Sequence, residues 1–335
     1  MALNSELPML VDRRTFLAGA AALSSFAIVG RAKAAATLRV AHASPEDSLI
    51  QKAMLMFKAE VEKATAGSVK VTIFANGVLG DEGPVSEAVG DGSIDMGLGG
   101  VVDAIDPRLN VVSLPFLFES FDKVHVVLDG PIGAKLRAMA PPRGYEIIGF
   151  LDSGFRSFTN NKGPIRKPAD IAGLKMRCPP IPVIIETVKV LGALPQSIPY
   201  GEVYTSLQSG VVDGAEPELR DFYDAKWFEV QKFLSLSNYV WTANYWYANK
   251  KKLEGLQEGE RAAVMGAADK TQAWFRTAIK QSYTTIIETL KSKGLKVNEV
   301  DTAPFKAMVG PVYETFSKEY GADLVSSLRD AAAKA

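Results

Sequence analysis

Apolar and polar residues alternate over Val69–Phe74, with Val69, Val71 and Ile73 on one side and Lys70 and Thr72 on the other, which predicts a half-buried β-strand. The period changes just before it. Leu49, Ala53, Phe57 and Val61 recur at near-helical spacing and predict a helix from Glu46 to Ala66, stopped by Gly67. Leu38–His42 and Ile94–Leu98 read as short strands, with a Gly-rich turn (Asn76-Gly77-Val78-Leu79-Gly80) and a helix near Val85–Val89 between them. The pattern resumes with strands at Tyr145–Leu151, Arg156–Asn160 and Leu174–Cys178, then helices at Pro182–Leu191 and Gly201–Ser209. Strands alternating with helices predict an α/β fold built on parallel sheet.

One element has an unusual length. Gly259 to Gly294 contains no proline, and Val264, Ala268, Thr271, Phe275, Ala278, Ser282, Ile286 and Leu290 keep one apolar or small face. At about 1.5 Å per residue such a helix approaches ~50 Å, longer than a single lobe. The chain has 335 residues, and single cores stop growing beyond roughly 250–300 residues, so two lobes are expected. The helix is therefore expected to span both lobes or to break.

Composition narrows the function. Lys plus Arg equals Asp plus Glu, 38 against 38, which leaves no basic footprint for nucleic acid. The single cysteine, Cys178, forms no internal disulfide, and two histidines, His42 and His125, are too few and too far apart for a histidine-built metal site. No GxSxG, HExxH or phosphate-loop pattern occurs, and Gly97-Leu98-Gly99-Gly100 lacks the third glycine of a dinucleotide loop. No enzyme, cofactor or metal is expected.

The N-terminus reads as a targeting segment. Arg13-Arg14 precede Phe16-Leu17, an apolar run from Ala18 to Val29 follows, and Ala32-Lys33-Ala34 supplies a cleavage site. The run is too short to span a bilayer, which takes about 20 residues. The expectation is a twin-arginine-type signal peptide over residues 1–34, cleaved near Ala34, and a periplasmic, soluble mature protein.

Two arginines stand at strand ends, Arg156 at the start of Arg156–Asn160 and Arg177 near the end of Leu174–Cys178. The cleft side of an open α/β sheet is where ligands bind, and a guanidinium fork grips a carboxylate with two parallel hydrogen bonds. A surface ion pair is the alternative at such positions. His42 at the end of the first strand, Glu82 after the Gly-rich turn, and Trp241 and Asn244 in the aromatic run Tyr239–Tyr247 are further cleft candidates. About half of that run is expected to be core.

Blocks of sequence raise the odds for the arginines. Asn160 to Arg177 (NNKGPIRKPADIAGLKMR) resembles the signature of the DctP family, the substrate-binding subunits of TRAP (tripartite ATP-independent periplasmic) transporters. Gly77–Gly80, Gly92–Met96, Leu114–Phe118 and Tyr200–Gly214 fall in register with it. The resemblance implies a two-lobe periplasmic binding fold with a central cleft and a long helix bracing both lobes. We divide it as lobe I, residues 35–153 with 243–282, and lobe II, residues 154–242 with 283–335. It also implies that Arg177 clamps a ligand carboxylate, that Arg156 assists, that Tyr200 packs on the ligand, and that the partner is an ion-coupled permease. The sequence departs from the family at Glu216-Pro217, where the usual asparagine is proline. Proline offers neither a side-chain donor nor an N–H. Asn244 or Arg220 is the expected substitute. The expected ligand is a small organic acid, a sugar acid ahead of a C4-dicarboxylate or 2-oxo acid, and the expected state is a monomer. A receptor for an ATP-driven importer, or a periplasmic enzyme acting on an organic acid, is the alternative.

Overall fold

The computed structural model describes residues 35–335; the expected leader over residues 1–34 lies outside them. Among the described residues nine strands form one sheet: β1 (Ala36–Ala41), β2 (Val69–Phe74), β3 (Met96–Gly99), β4 (Tyr145–Asn160), β5 (Lys175–Cys178), β6 (Leu194–Ser197), β7 (Gly214–Ala215), β8 (Phe233–Asn249) and β9 (Lys296–Glu299). Their order is β2-β1-β3-β8-β4-β7-β5-β6, with β9 beside β8. β1 runs parallel to β2 and β3, and β5 runs parallel to β6 and β7. Between these two parallel halves lie β4 and β8, antiparallel to one another.

The helices of six or more residues are α1 (Leu49–Ala64), α2 (Glu82–Asp91), α3 (Phe121–Asp129), α4 (Pro131–Arg137), α5 (Pro182–Val190), α6 (Val203–Gln208), α7 (Leu219–Asp224), α8 (Glu258–Ser292), α9 (Gly310–Tyr320) and α10 (Ala322–Lys334). Helix α1 starts at Leu49 rather than Glu46, because the Ser48 hydroxyl accepts from the Gln51 N–H and caps the helix there.

Tyr145–Leu151 and Arg156–Asn160 are one 16-residue strand rather than two. The intervening polar stretch is carried by register shifts against β8 at Ile147/Gly149, Asp152/Gly154 and Arg156/Phe158, and such bulges bend a strand without ending it. Gly154 sits at one of them with φ +126°, and a Cβ there would collide with the Tyr283 hydroxyl. That hydroxyl accepts from the Phe155 N–H at 2.9 Å, so α8 is pinned to β4 at its bend.

Helix α8 is unbroken over 35 residues, about 52 Å at 1.5 Å per residue. Val264, Ala268, Phe275 and Ile279 enter one apolar core with β1, β2 and α1. Ile286 and Leu290 enter another with α6, α7 and Trp227. The helix therefore braces both halves of the sheet, as its length required. The C-terminal helices, which the sequence pattern did not delimit, pack back over the chain. Helix α9 rests on the 3₁₀ turn Pro107–Ser113 and on α5, and α10 rests on α3 and α4. Among the described residues no helix is long and apolar enough to cross a membrane.

Candidate functional site

The two halves of the sheet enclose a narrow cavity of about 30 Å³. Arg177 reaches it from β5, Arg156 and Ser153 from β4, Thr242 and Asn244 from β8, Glu82 from the start of α2, Asp221 from α7, and Tyr200 from the segment before α6.

Arg177 is 3% exposed. Its Nε donates to the Ile198 carbonyl at 2.9 Å, and its guanidinium lies 5.5 Å from the centre of the Trp227 ring. Among the described residues no carboxylate pairs with it, and its two terminal amino groups make no hydrogen bond. Burial, with Arg156 close by, pushes its pKa below the ordinary arginine value. A guanidinium still carries its charge in that condition, so a buried cation faces the cavity with free donors.

Arg156 is equally buried but saturated. Its Nε and Nη2 donate to both carboxylate oxygens of Glu216, and its Nη1 donates to Glu218. Glu216 also accepts from the Tyr239 hydroxyl and Glu218 from the Thr242 hydroxyl. Burial opposes the charge of Arg156, but the two carboxylates outweigh it and hold its pKa well above the usual value.

Glu82 opens α2. Its Oε2 accepts from the N–H groups of Gly100 (2.9 Å) and Val101 (3.1 Å). The side chain lies flat against Gly99, where a Cβ would sit 2.9 Å from the Glu82 Cβ. Gly99 thus serves this close approach, while Gly97 makes room for the Tyr247 ring. Burial, reinforced by Asp81 and Asp221, raises Glu82 to about 7. Asp221 is raised to about 7 as well, by burial first, with Glu218 and Asp224 adding to it against Arg220. The Ser153 hydroxyl donates to Asp221 Oδ2 at 3.3 Å.

Of the residues singled out in the sequence, Arg177, Arg156, Tyr200, Glu82 and Asn244 come together on this cavity. The Tyr200 ring packs 5.3 Å from Trp227, and its buried hydroxyl has no partner within the protein. Asn244 offers a side-chain amide that no described residue engages. Arg220 is committed elsewhere, paired with Asp221 and, at 3.3 Å, with Asp224.

His42, Glu216, Pro217 and Trp241 lie off the lining. His42 is bound to Gln51 at 2.9 Å. Glu216 stands behind Arg156. Pro217 presents only its carbonyl, which accepts from the Ser157 N–H at 2.9 Å. Trp241 donates to Asp152 at 3.2 Å and packs on Phe118. In the aromatic run Tyr239–Tyr247 every ring is core, and the small and polar residues Thr242, Ala243 and Asn244 face the cavity. Ser153, Thr242, Glu218 and Asp221 were not legible as cavity residues, because only the bulged pairing of β4 with β8 and the turn into α7 bring them there. Among the described residues no group of three or more His, Cys, Asp or Glu is placed to hold a metal.

Residues 40–319 match the family described as bacterial extracellular solute-binding protein, family 7 (DctP). The chain belongs to this family. A DctP protein with the same layout is the sugar acid binding protein DctPAm of Advenella mimigardefordensis, whose crystal structure holds galactonate. It superposes with a TM-score of 0.87 at 32% identity, over 90% of this chain and 98% of that one. A TRAP periplasmic solute-binding protein of Sulfurospirillum deleyianum with bound succinate gives a TM-score of 0.84 at 28% identity, over 89% of this chain and 99% of that one. In sequence, the 2,3-diketo-L-gulonate-binding periplasmic protein YiaO of Escherichia coli K12 is 31% identical over 93% of this chain and 96% of its own length. This DctP protein is a two-lobe periplasmic binding protein of the TRAP type, and its family and neighbours are solute-binding proteins rather than enzymes.

Proposed function

We propose that the protein captures a small organic acid in the cavity between its lobes, with Arg177 as the anchor for the ligand carboxylate. A sugar acid is favoured over a C4-dicarboxylate or a 2-oxo acid. It then delivers the ligand, as a monomer in the periplasm, to the membrane permease of an ion-coupled transporter, after export on a leader cleaved near Ala34. The observation that carries the reading is the state of Arg177: a buried guanidinium with its terminal donors free, at the end of a strand that opens on the cavity. Leaving such donors unmet is costly, and a ligand carboxylate meets them with two parallel bonds. Tyr200 and Asn244 supply further unmet polar groups. The sugar acids held by relatives of this fold favour the ligand class.

We place lobe I at residues 35–153 with 243–282 and lobe II at 154–242 with 283–335, hinged where β4 and β8 cross between them. Several hydrogen bonds join these parts, that of the Ser153 hydroxyl to Asp221 among them. The Gly201 N–H donates to Asp81 Oδ2 at 2.9 Å, and the Leu49 N–H donates to Asp224 Oδ2 at 3.3 Å. Contacts made only when the lobes are together shift the population toward the closed form.

Thermal melting against organic acids and their neutral counterparts tests the reading. A ligand at 100 times its Kd adds about 2.7 kcal/mol. Stabilisation by galactonate or glucuronate, with none from galactitol or glucose, is the expected result. Equal stabilisation by the neutral compounds would overturn the carboxylate role.

A further inference from the structure

The charges around the cavity are unequally distributed. Arg177 is influenced by Arg156, Glu216 and Glu218, and since Arg156 is held by both carboxylates, Arg177 is the cation at that end left to meet a ligand. Glu82 is influenced by Asp81 and Asp221 instead. Asp81 is engaged by its own helix start and by Gly201, while Asp221 leans on Arg220 and Ser153. The cavity therefore has a cationic end, at Arg177, and an acidic end, at Glu82 and Asp221.

The acidic end is short of donors. Both backbone N–H groups that reach Glu82 go to Oε2, so Oε1 accepts nothing from the protein. Asp221 Oδ1, buried and paired in charge with Arg220, lacks a hydrogen bond of good geometry. Glu82 Oε1, and the lone pair that Asp221 Oδ1 keeps beside its Arg220 contact, are matched by hydroxyl groups. A second carboxylate would bring a like charge against two buried carboxyls with no cation spare to receive it.

Resting on the reading of Arg177 as carboxylate anchor, we propose that Glu82 and Asp221 determine specificity: they accept from hydroxyls at the end of the ligand remote from its carboxylate, and they exclude a second carboxylate. The protein then takes hydroxylated monocarboxylates and rejects C4-dicarboxylates. Sites built to hydrogen-bond a ligand hydroxyl discriminate strongly against analogues that lack it.

Calorimetric titration with galactonate and with succinate at pH 7.5 tests this in the wild type, Glu82→Gln and Asp221→Asn. Both changes keep size and an acceptor oxygen while removing the charge. The wild type is expected to bind galactonate at least tenfold more tightly than succinate. Each variant is expected to lose tenfold or more for galactonate and to narrow the gap to succinate. Succinate binding the wild type as tightly as galactonate, or an unchanged preference in both variants, would overturn the assignment. The two readings fail separately. Failure of every acid to bind overturns the Arg177 anchor and this assignment with it, whereas tight and equal binding of both acids overturns this assignment alone.

Discussion

Arg156 and Arg177 line one cavity from β4 and β5, each 3% exposed, yet they stand in opposite states. Arg156 is enclosed by Glu216 and Glu218, and those carboxylates are in turn held by Tyr239 and Thr242. Arg177 has a carbonyl and an indole ring for company and no counter-ion. Position on a strand end and burial are the same for both. What differs is whether the protein has already answered the charge. A guanidinium whose charge is answered internally fastens β4 to the segment after β7; one left unanswered is held ready for an anion from outside. Residue type alone does not separate the two roles.

The comparison breaks most visibly if Arg156 is removed. Arg156→Ala leaves Glu216 and Glu218 buried without their cation, and losing one partner of such a group costs about 3–5 kcal/mol. Urea unfolding is expected to show a loss of that size in the absence of any ligand. A loss under 1 kcal/mol would mean that Arg156 is not the fastening described.

Glu82 sharpens the comparison from the acidic side. Its carboxyl is raised to about 7, above the ordinary carboxylate range, so it opposes folding wherever it is ionised in both states. That penalty is full above pH 7 and fades as pH falls toward the ordinary value. Glu82→Gln is therefore expected to stabilise the unliganded protein at pH 8 by on the order of 2 kcal/mol, and to leave it unchanged near pH 4. Melting curves at the two pH values check the sign. A variant equally stable at both, relative to wild type, would show that burial does not control this group.

The smallest effect is expected at Asp81. Asp81→Ala removes the cap of α2 and the bond to Gly201, and a lost cap typically costs about 1 kcal/mol. Asp81→Asn has one acceptor oxygen for the two N–H groups, so it keeps the cap or the Gly201 bond but not both and is expected to fall between wild type and the alanine variant. Stopped-flow dissociation of galactonate is expected to quicken several-fold in the alanine variant. An unchanged rate would remove the contact across the cavity from the account of closure.

Much of this arrangement was legible in the chain. The change of period between Leu49–Val61 and Val69–Phe74, and the uninterrupted stretch after Gly259, located the elements that frame the cavity. Arg177 and Glu82 were singled out because strand ends and turn positions face a cleft in this class of fold, Asn244 for its place in the aromatic run, and Tyr200 through the family resemblance. What the pattern did not carry was pairing. Glu216 and Glu218 flank a proline and read as a departure from the family, whereas in the folded chain they are the counter-ions of Arg156. Their distance from Arg156 along the chain, about sixty residues, is closed only by the antiparallel contact of β4 with β7. Likewise the break expected between Leu151 and Arg156 is a run of bulges, which local polarity does not distinguish from a turn.

Titration of Arg177→Ala with galactonate, beside Arg156→Ala, tests the central claim most directly. Arg177 gives only one hydrogen bond to its own protein, so the variant is expected to melt close to wild type and to lose about 2–5 kcal/mol of binding, on the order of 30-fold or more. Unchanged galactonate affinity in a folded Arg177→Ala protein would contradict it.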